Sequence, residues 1–133
     1  MPDIDHARAL LEAARRDLRA LEAMGDAGAF ADEIFGFHAQ QAVEKGLKAW
    51  LALNGVTYPR THDLRVLLGL LQRCGVDVST IQGVMEYGAY AVAFRYEALP
   101  LDADPLDRRA ALERVRDLLG RVEHHLTQLD AGA

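Results

Sequence analysis

Much that would commit the chain to a specialised environment is missing or scarce. There is one cysteine, Cys74, among 133 residues. A single thiol excludes an intrachain disulfide and fits a reducing compartment. Its place near a helix end predicts a small buried hydrophobe. Only four residues are proline and half are hydrophobic, a composition that can build a core and excludes disorder. No apolar run approaches the ~20 residues that a membrane span requires. Pro2, Asp3 and Asp5 stand where a secretory leader needs a basic and then an apolar stretch, so a cytoplasmic location is expected. The net charge is −5, without the basic footprint of a protein that coats duplex nucleic acid. Contact with RNA or a nucleotide would need a local cluster of cations.

Catalytic and cofactor motifs are also scarce. Gly69, Gly83 and Gly88 stand singly, unlike a phosphate-cradling loop. No Ser-His-Asp or Cys-His set emerges from spacing. The five histidines make no metal signature, and the adjacent His124 and His125 would point ~100° apart on a helix. Neither a metal nor another cofactor is expected. β-branched residues are scattered, with no sustained alternation, so nothing reads as a strand.

Helical periodicity is what remains, over a length suited to one domain, residues 1–133. Ile4, Ala7, Leu11, Ala14, Leu18 and Leu21 recur at spacings of three and four and predict a first helix over about 3–24. A second runs over about 30–54. It places Val43, Leu47 and Trp50 on one side and Ile34, Phe37, Gln41, Glu44, Lys48 and Leu51 on the other. A third begins at Thr61 as N-cap, with Asp63 in its first turn, and reaches Arg73. Ser79 caps a fourth reaching Arg95. Asp104 and Pro105 open a fifth, whose seam is Leu112, Val115, Leu119, Val122, Leu126 and Leu129. The expected fold is all-α, an up-and-down bundle of four to five helices.

Gln41, Glu44, Lys45 and Lys48 form a polar face on the second helix. One reading is a solvated face with a Glu44–Lys48 pair at i, i+4. The other is a contact surface or pocket rim, because Ile34, Phe37 and Leu51 frame it; lysines there would hold a phosphate as point charges. Arg60 and His62 follow in the next loop, as capping residues or as groups for anion binding and proton transfer. Tyr87, Tyr90 and Phe94 recur among small residues. Either they pack the core or, with Ile34 and Phe37, they form a self-association surface. Two apolar-containing faces on the second helix and this aromatic stripe predict a two-fold homodimer. Arg95 and Tyr96 close the fourth helix, where Arg95 would cap carbonyls, pair with a carboxylate or hold an anion.

The run Gln41-x-x-Glu44-Lys45-x-x-Lys48, then Pro59-Arg60-Thr61-His62-Asp63-Leu64, with Arg95-Tyr96 further on, resembles the HEPN domain. The resemblance covers nearly the whole chain. It implies a helical bundle like the substrate-binding subunit beside some nucleotidyltransferases, commonly homodimeric. It also implies a minimal nucleotidyltransferase as partner in a toxin–antitoxin pair, and a nucleotide or RNA as ligand, with Gln41, Glu44, Lys45, Lys48, Arg60, His62, Arg95 and Tyr96 as binding candidates. Active members are metal-independent ribonucleases that share an arginine followed, after four to six residues, by a histidine. Here the seven residues after Arg95 hold no histidine. Arg60 stands too close to His62, and Arg121 precedes His124 and His125 by three and four positions, one short of the pattern. The motif is absent as written, which favours a binding role over cleavage and leaves a ribonuclease with a diverged site as the alternative.

Overall fold

The computed structural model of the chain describes residues 1–26, 28–91 and 105–132. Four α-helices account for most of them: α1 (Ile4–Ala23), α2 (Asp32–Leu53), α3 (Leu64–Arg73) and α4 (Arg108–Gly132). A 3-10 helix, Ser79–Ala89, stands between α3 and α4. No strand occurs among the described residues, and the fold is the expected all-α up-and-down bundle.

Helix α2 is the centre. Its neighbours are α1, α3, α4 and the 3-10 helix, and Phe35, Ala39, Val43, Leu47 and Leu51 are fully buried. Of its second apolar-containing face, Leu51 is buried inside the bundle while Ile34 stays exposed. Leu11, Ala14 and Leu21 of α1 and Val115, Leu118, Leu119 and Val122 of α4 close on α2. Gly46 permits the approach of α4: a Cβ there would lie 2.9 Å from Leu119 Cδ2 and 3.2 Å from Leu118 Cδ2. Gly55 and Gly75, at φ +69° and +94°, end α2 and α3 in the left-handed region that favours glycine.

Four expectations are corrected. Asp63, not Thr61, caps α3, its carboxylate accepting from Arg65 N at 2.9 Å, while Thr61 Oγ1 accepts from Asp63 N at 3.0 Å. The last helix starts at Arg108, and Asp107 accepts from Ala110 N at 3.0 Å. Asp104 lies outside the described residues and Pro105 precedes the helix. Ser79 begins a 3-10 helix, with its N–H donated to Asp77. Cys74 is exposed, because it follows the last turn of α3 on the solvent side.

Candidate functional site

The polar face of α2 is not solvated. Glu44 is 5% exposed, and three donors converge on it: Gln40 Nε2 at 2.9 Å, His62 Nδ1 at 2.8 Å and Lys48 Nζ at 3.0 Å. Gln40 and Lys48 belong to α2, one turn to either side of Glu44. His62 comes from the loop that leads into α3, and its carbonyl accepts from Gln40 Nε2 at 3.4 Å. Burial pushes the Glu44 carboxyl up, but the three hydrogen bonds and the Lys48 charge outweigh it and hold the group below the usual glutamate range.

The cluster extends outward. Gln41 Nε2 donates to Gln40 Oε1 at 2.7 Å. Lys48 also lies 5.6 Å from the centroid of the Tyr58 ring, and the Tyr58 hydroxyl shares a 2.7 Å hydrogen bond with His6 Nε2 of α1. Burial, with the negative charges of Asp3 and Glu44, raises the Tyr58 hydroxyl above its ordinary value and keeps it neutral. The network thus joins α1, α2 and the loop before α3.

Lys45 belongs to a different group. It donates to Asp17 of α1 at 2.7 Å, and His38 Nδ1 lies 3.1 Å from the other Asp17 oxygen. Asp17 is 9% exposed. Each lysine on this face is therefore committed to a buried carboxylate, and the pair does not form a free cradle for a phosphate. The geometry joins Gln41, Glu44, Lys48 and His62 and sends Lys45 to the α1 seam. Arg60 is exposed in the loop. Arg95, Tyr96 and Phe94 lie outside the described residues.

What the cluster offers to solvent is His62, whose side chain is 67% exposed. With Nδ1 bound to Glu44, the opposite nitrogen of the ring is directed away from the carboxylate. A pocket of about 430 Å3 adjoins it, lined by Arg65, Met85, Gly88 and Ala91 among others.

The aromatic candidates divide. Tyr87 is fully buried, and its hydroxyl accepts from Arg114 Nη1 at 3.1 Å. It is a core residue of the bundle and not the surface contact expected of it, because the 3-10 helix turns it towards α4. Tyr90 is half-buried over Gly36, where a Cβ would meet its ring at 2.3 Å. Ile34 remains 38% and Phe30 36% exposed, and Phe37 is partly exposed.

Sequence reasoning did not see Gln40, Asp17, His38, Tyr58 or His6. Gln40 had a signal, standing one turn before Glu44. Asp17 had one too, falling three residues after Ala14 on the buried stripe of α1. Tyr58 and His6 meet only through the fold. No group of three or more His, Cys, Asp or Glu that could hold a metal occurs among the described residues, and no described helix is long and apolar enough to cross a membrane.

The model of the HEPN domain matches residues 7–125, a span that takes in α1, α2, α3, the 3-10 helix and most of α4. The chain belongs to the HEPN family. No match was found among curated proteins or solved structures.

Proposed function

We propose that this HEPN domain is a non-catalytic binding module, a cytoplasmic homodimer that pairs with a minimal nucleotidyltransferase of toxin–antitoxin type and takes a nucleotide beside His62. The observation that carries the reading is the commitment of the α2 cations. Lys45 and Lys48 hold buried carboxylates at 2.7 and 3.0 Å, so they fix helix seams and the 58–62 loop instead of drawing charge onto a reacting phosphate. The absent Arg-x4–6-His pattern agrees with that. Ile34 and Phe30, exposed by more than a third, support self-association at the start of α2.

Co-expression with a minimal nucleotidyltransferase is expected to give a co-eluting complex, and calorimetry to give nucleotide binding that His62→Ala weakens. The absence of both co-elution and nucleotide binding would remove the reading. The protein alone is expected to scatter light at twice its 14.6 kDa chain mass, and Ile34→Glu to return it to the monomer mass while it stays folded. A dimer unaffected by Ile34→Glu would place the contact elsewhere.

The Glu44–His62 pair supports a second reading, a metal-independent ribonuclease with a diverged site. A carboxylate that orients one ring nitrogen leaves the other to exchange protons with a substrate. Arg60, Arg95 and Tyr96 would supply charge stabilisation and a further proton. Incubation with total RNA in chelator separates the two readings. Cleavage abolished by His62→Ala supports the enzyme, whereas cleavage that survives the change refutes this assignment.

A further inference from the structure

The pocket of about 430 Å3 beside His62 opens between the first turn of α3 and the end of the 3-10 helix. Such a volume lies in the range of small-molecule sites. Resting on the nucleotide reading above, we propose that the nucleobase, and not the phosphate, enters this pocket, with the outer nitrogen of His62 accepting an N–H from the edge of the base.

The wall favours a flat, uncharged group. Leu64, Met85, Gly88, Ala89 and Ala91 make most of it. A Cβ on Gly88 would lie 3.9 Å from Leu64 Cδ1, an ordinary contact, so the glycine leaves room that a larger side chain would fill. A ring can lie there, and the thioether of Met85 suits an aromatic edge. The charged rim offers a phosphate little. Arg65 is the one permanent cation among the described lining residues, and it donates to Asp63 through Nε at 3.2 Å and Nη2 at 3.1 Å. Asp63 lines the same rim, so an incoming phosphate would meet a carboxylate together with the guanidinium. Lys48 is turned to Glu44.

The fixed tautomer of His62 is the second, independent feature. Glu44 is held ionised by its three hydrogen bonds and by Lys48, and an ionised carboxylate only accepts. Its 2.8 Å contact with His62 Nδ1 therefore places the proton on Nδ1. In the neutral ring Nε2 is then an acceptor. The ring lines the pocket, and its side chain is 67% exposed. A hydrocarbon would fill the apolar space but leave this acceptor unused. A phosphate dianion has no proton to give it. A nucleobase brings both an apolar face and an N–H edge.

Calorimetry on the full chain tests this with the four common ribonucleosides, their monophosphates, ribose 5-phosphate and N-acetyltryptophanamide. The nucleoside that binds is expected to match its monophosphate within about threefold, and ribose 5-phosphate not to bind. Affinity should be the same at about 0.05 and 0.5 M salt, because no charge is recognised. His62→Phe keeps a ring and loses the acceptor, and should weaken binding about tenfold, the worth of one hydrogen bond. Gly88→Leu should fill the pocket and abolish binding, with circular dichroism unchanged. If the monophosphates bind but the nucleosides bind about tenfold more weakly or worse, or if ribose 5-phosphate competes, the phosphate is the recognised group; the nucleotide reading then stands and this proposal falls. If no monophosphate binds, both fall. Preferential binding of N-acetyltryptophanamide would mark a protein side chain as the occupant and overturn the proposal, as would binding unaltered in either folded variant.

Discussion

Arg108→Ala is expected to destabilise the domain by about 4 kcal/mol, within the range for breaking a buried ion pair from one side, and so to lower the melting midpoint by roughly 15 °C. Arg108 is 9% exposed at the start of α4. Its fork donates to the Met24 carbonyl at 2.7 Å, to the Phe30 carbonyl and to Asp32 at 2.9 Å, and it lies 4.9 Å from the centroid of the Phe35 ring. One side chain thus ties the end of α1, the connection that follows it and the start of α2 to α4. Alanine would leave the Met24 and Phe30 carbonyls without this donor, and Asp32 with only the Leu106 N–H at 3.0 Å and no neutralising charge. Lysine is not expected to rescue, because a single ammonium cannot reproduce the fork. Urea titration of both variants checks this. A loss under 1 kcal/mol for Arg108→Ala would show that the contacts are replaceable.

Glu44→Ala is expected to cost about 3 kcal/mol, since it strands Lys48 and Gln40 in a largely buried place. Glu44→Gln keeps an acceptor and should cost less. The same carboxylate gives the wild type an acid-labile stability. Its folded-state pKa is depressed, so the unfolded chain takes up a proton first as pH falls. Its contribution is full above the ordinary glutamate value near 4.3 and fades as pH drops below it through the lower folded value. Denaturation midpoints of wild type and Glu44→Gln should therefore converge as pH is lowered from 7 towards 3. Parallel curves would show that the charge of Glu44 adds nothing to stability.

The bundle was legible where the pattern repeats. Three- and four-residue spacings placed α1, α2 and α4 to within a few residues, and Gly55 and Gly75 stand just past the ends of α2 and α3. Caps were less legible, because neighbouring candidates compete. Thr61 and Asp63 both accept backbone N–H groups, and only the turn geometry decides which of them heads the helix. The site was half legible. Glu44, Lys48 and His62 were named from their motif, and they meet. Lys45 was grouped with them by sequence proximity, yet one residue beyond Glu44 turns it by ~100°, towards Asp17. Arg108 gave no local sign, because a cation in the first turn of a helix is ordinarily unfavourable there and only the approach of distant carbonyls makes it the anchor. The 3-10 geometry at Ser79–Ala89 is likewise invisible to apolar spacing, which three- and four-residue periods share.

The central position of α2 has a consequence for any attempt to divide the chain. A cut in the exposed stretch after Asn54 would leave one fragment with α1 and α2, whose contacts with α3, the 3-10 helix and α4 are then missing. The other fragment would carry three elements built to surround a helix it no longer has. Neither piece holds a closed core, so neither fragment is expected to fold alone. Complementation, if it occurs, must be a single concerted folding event around α2.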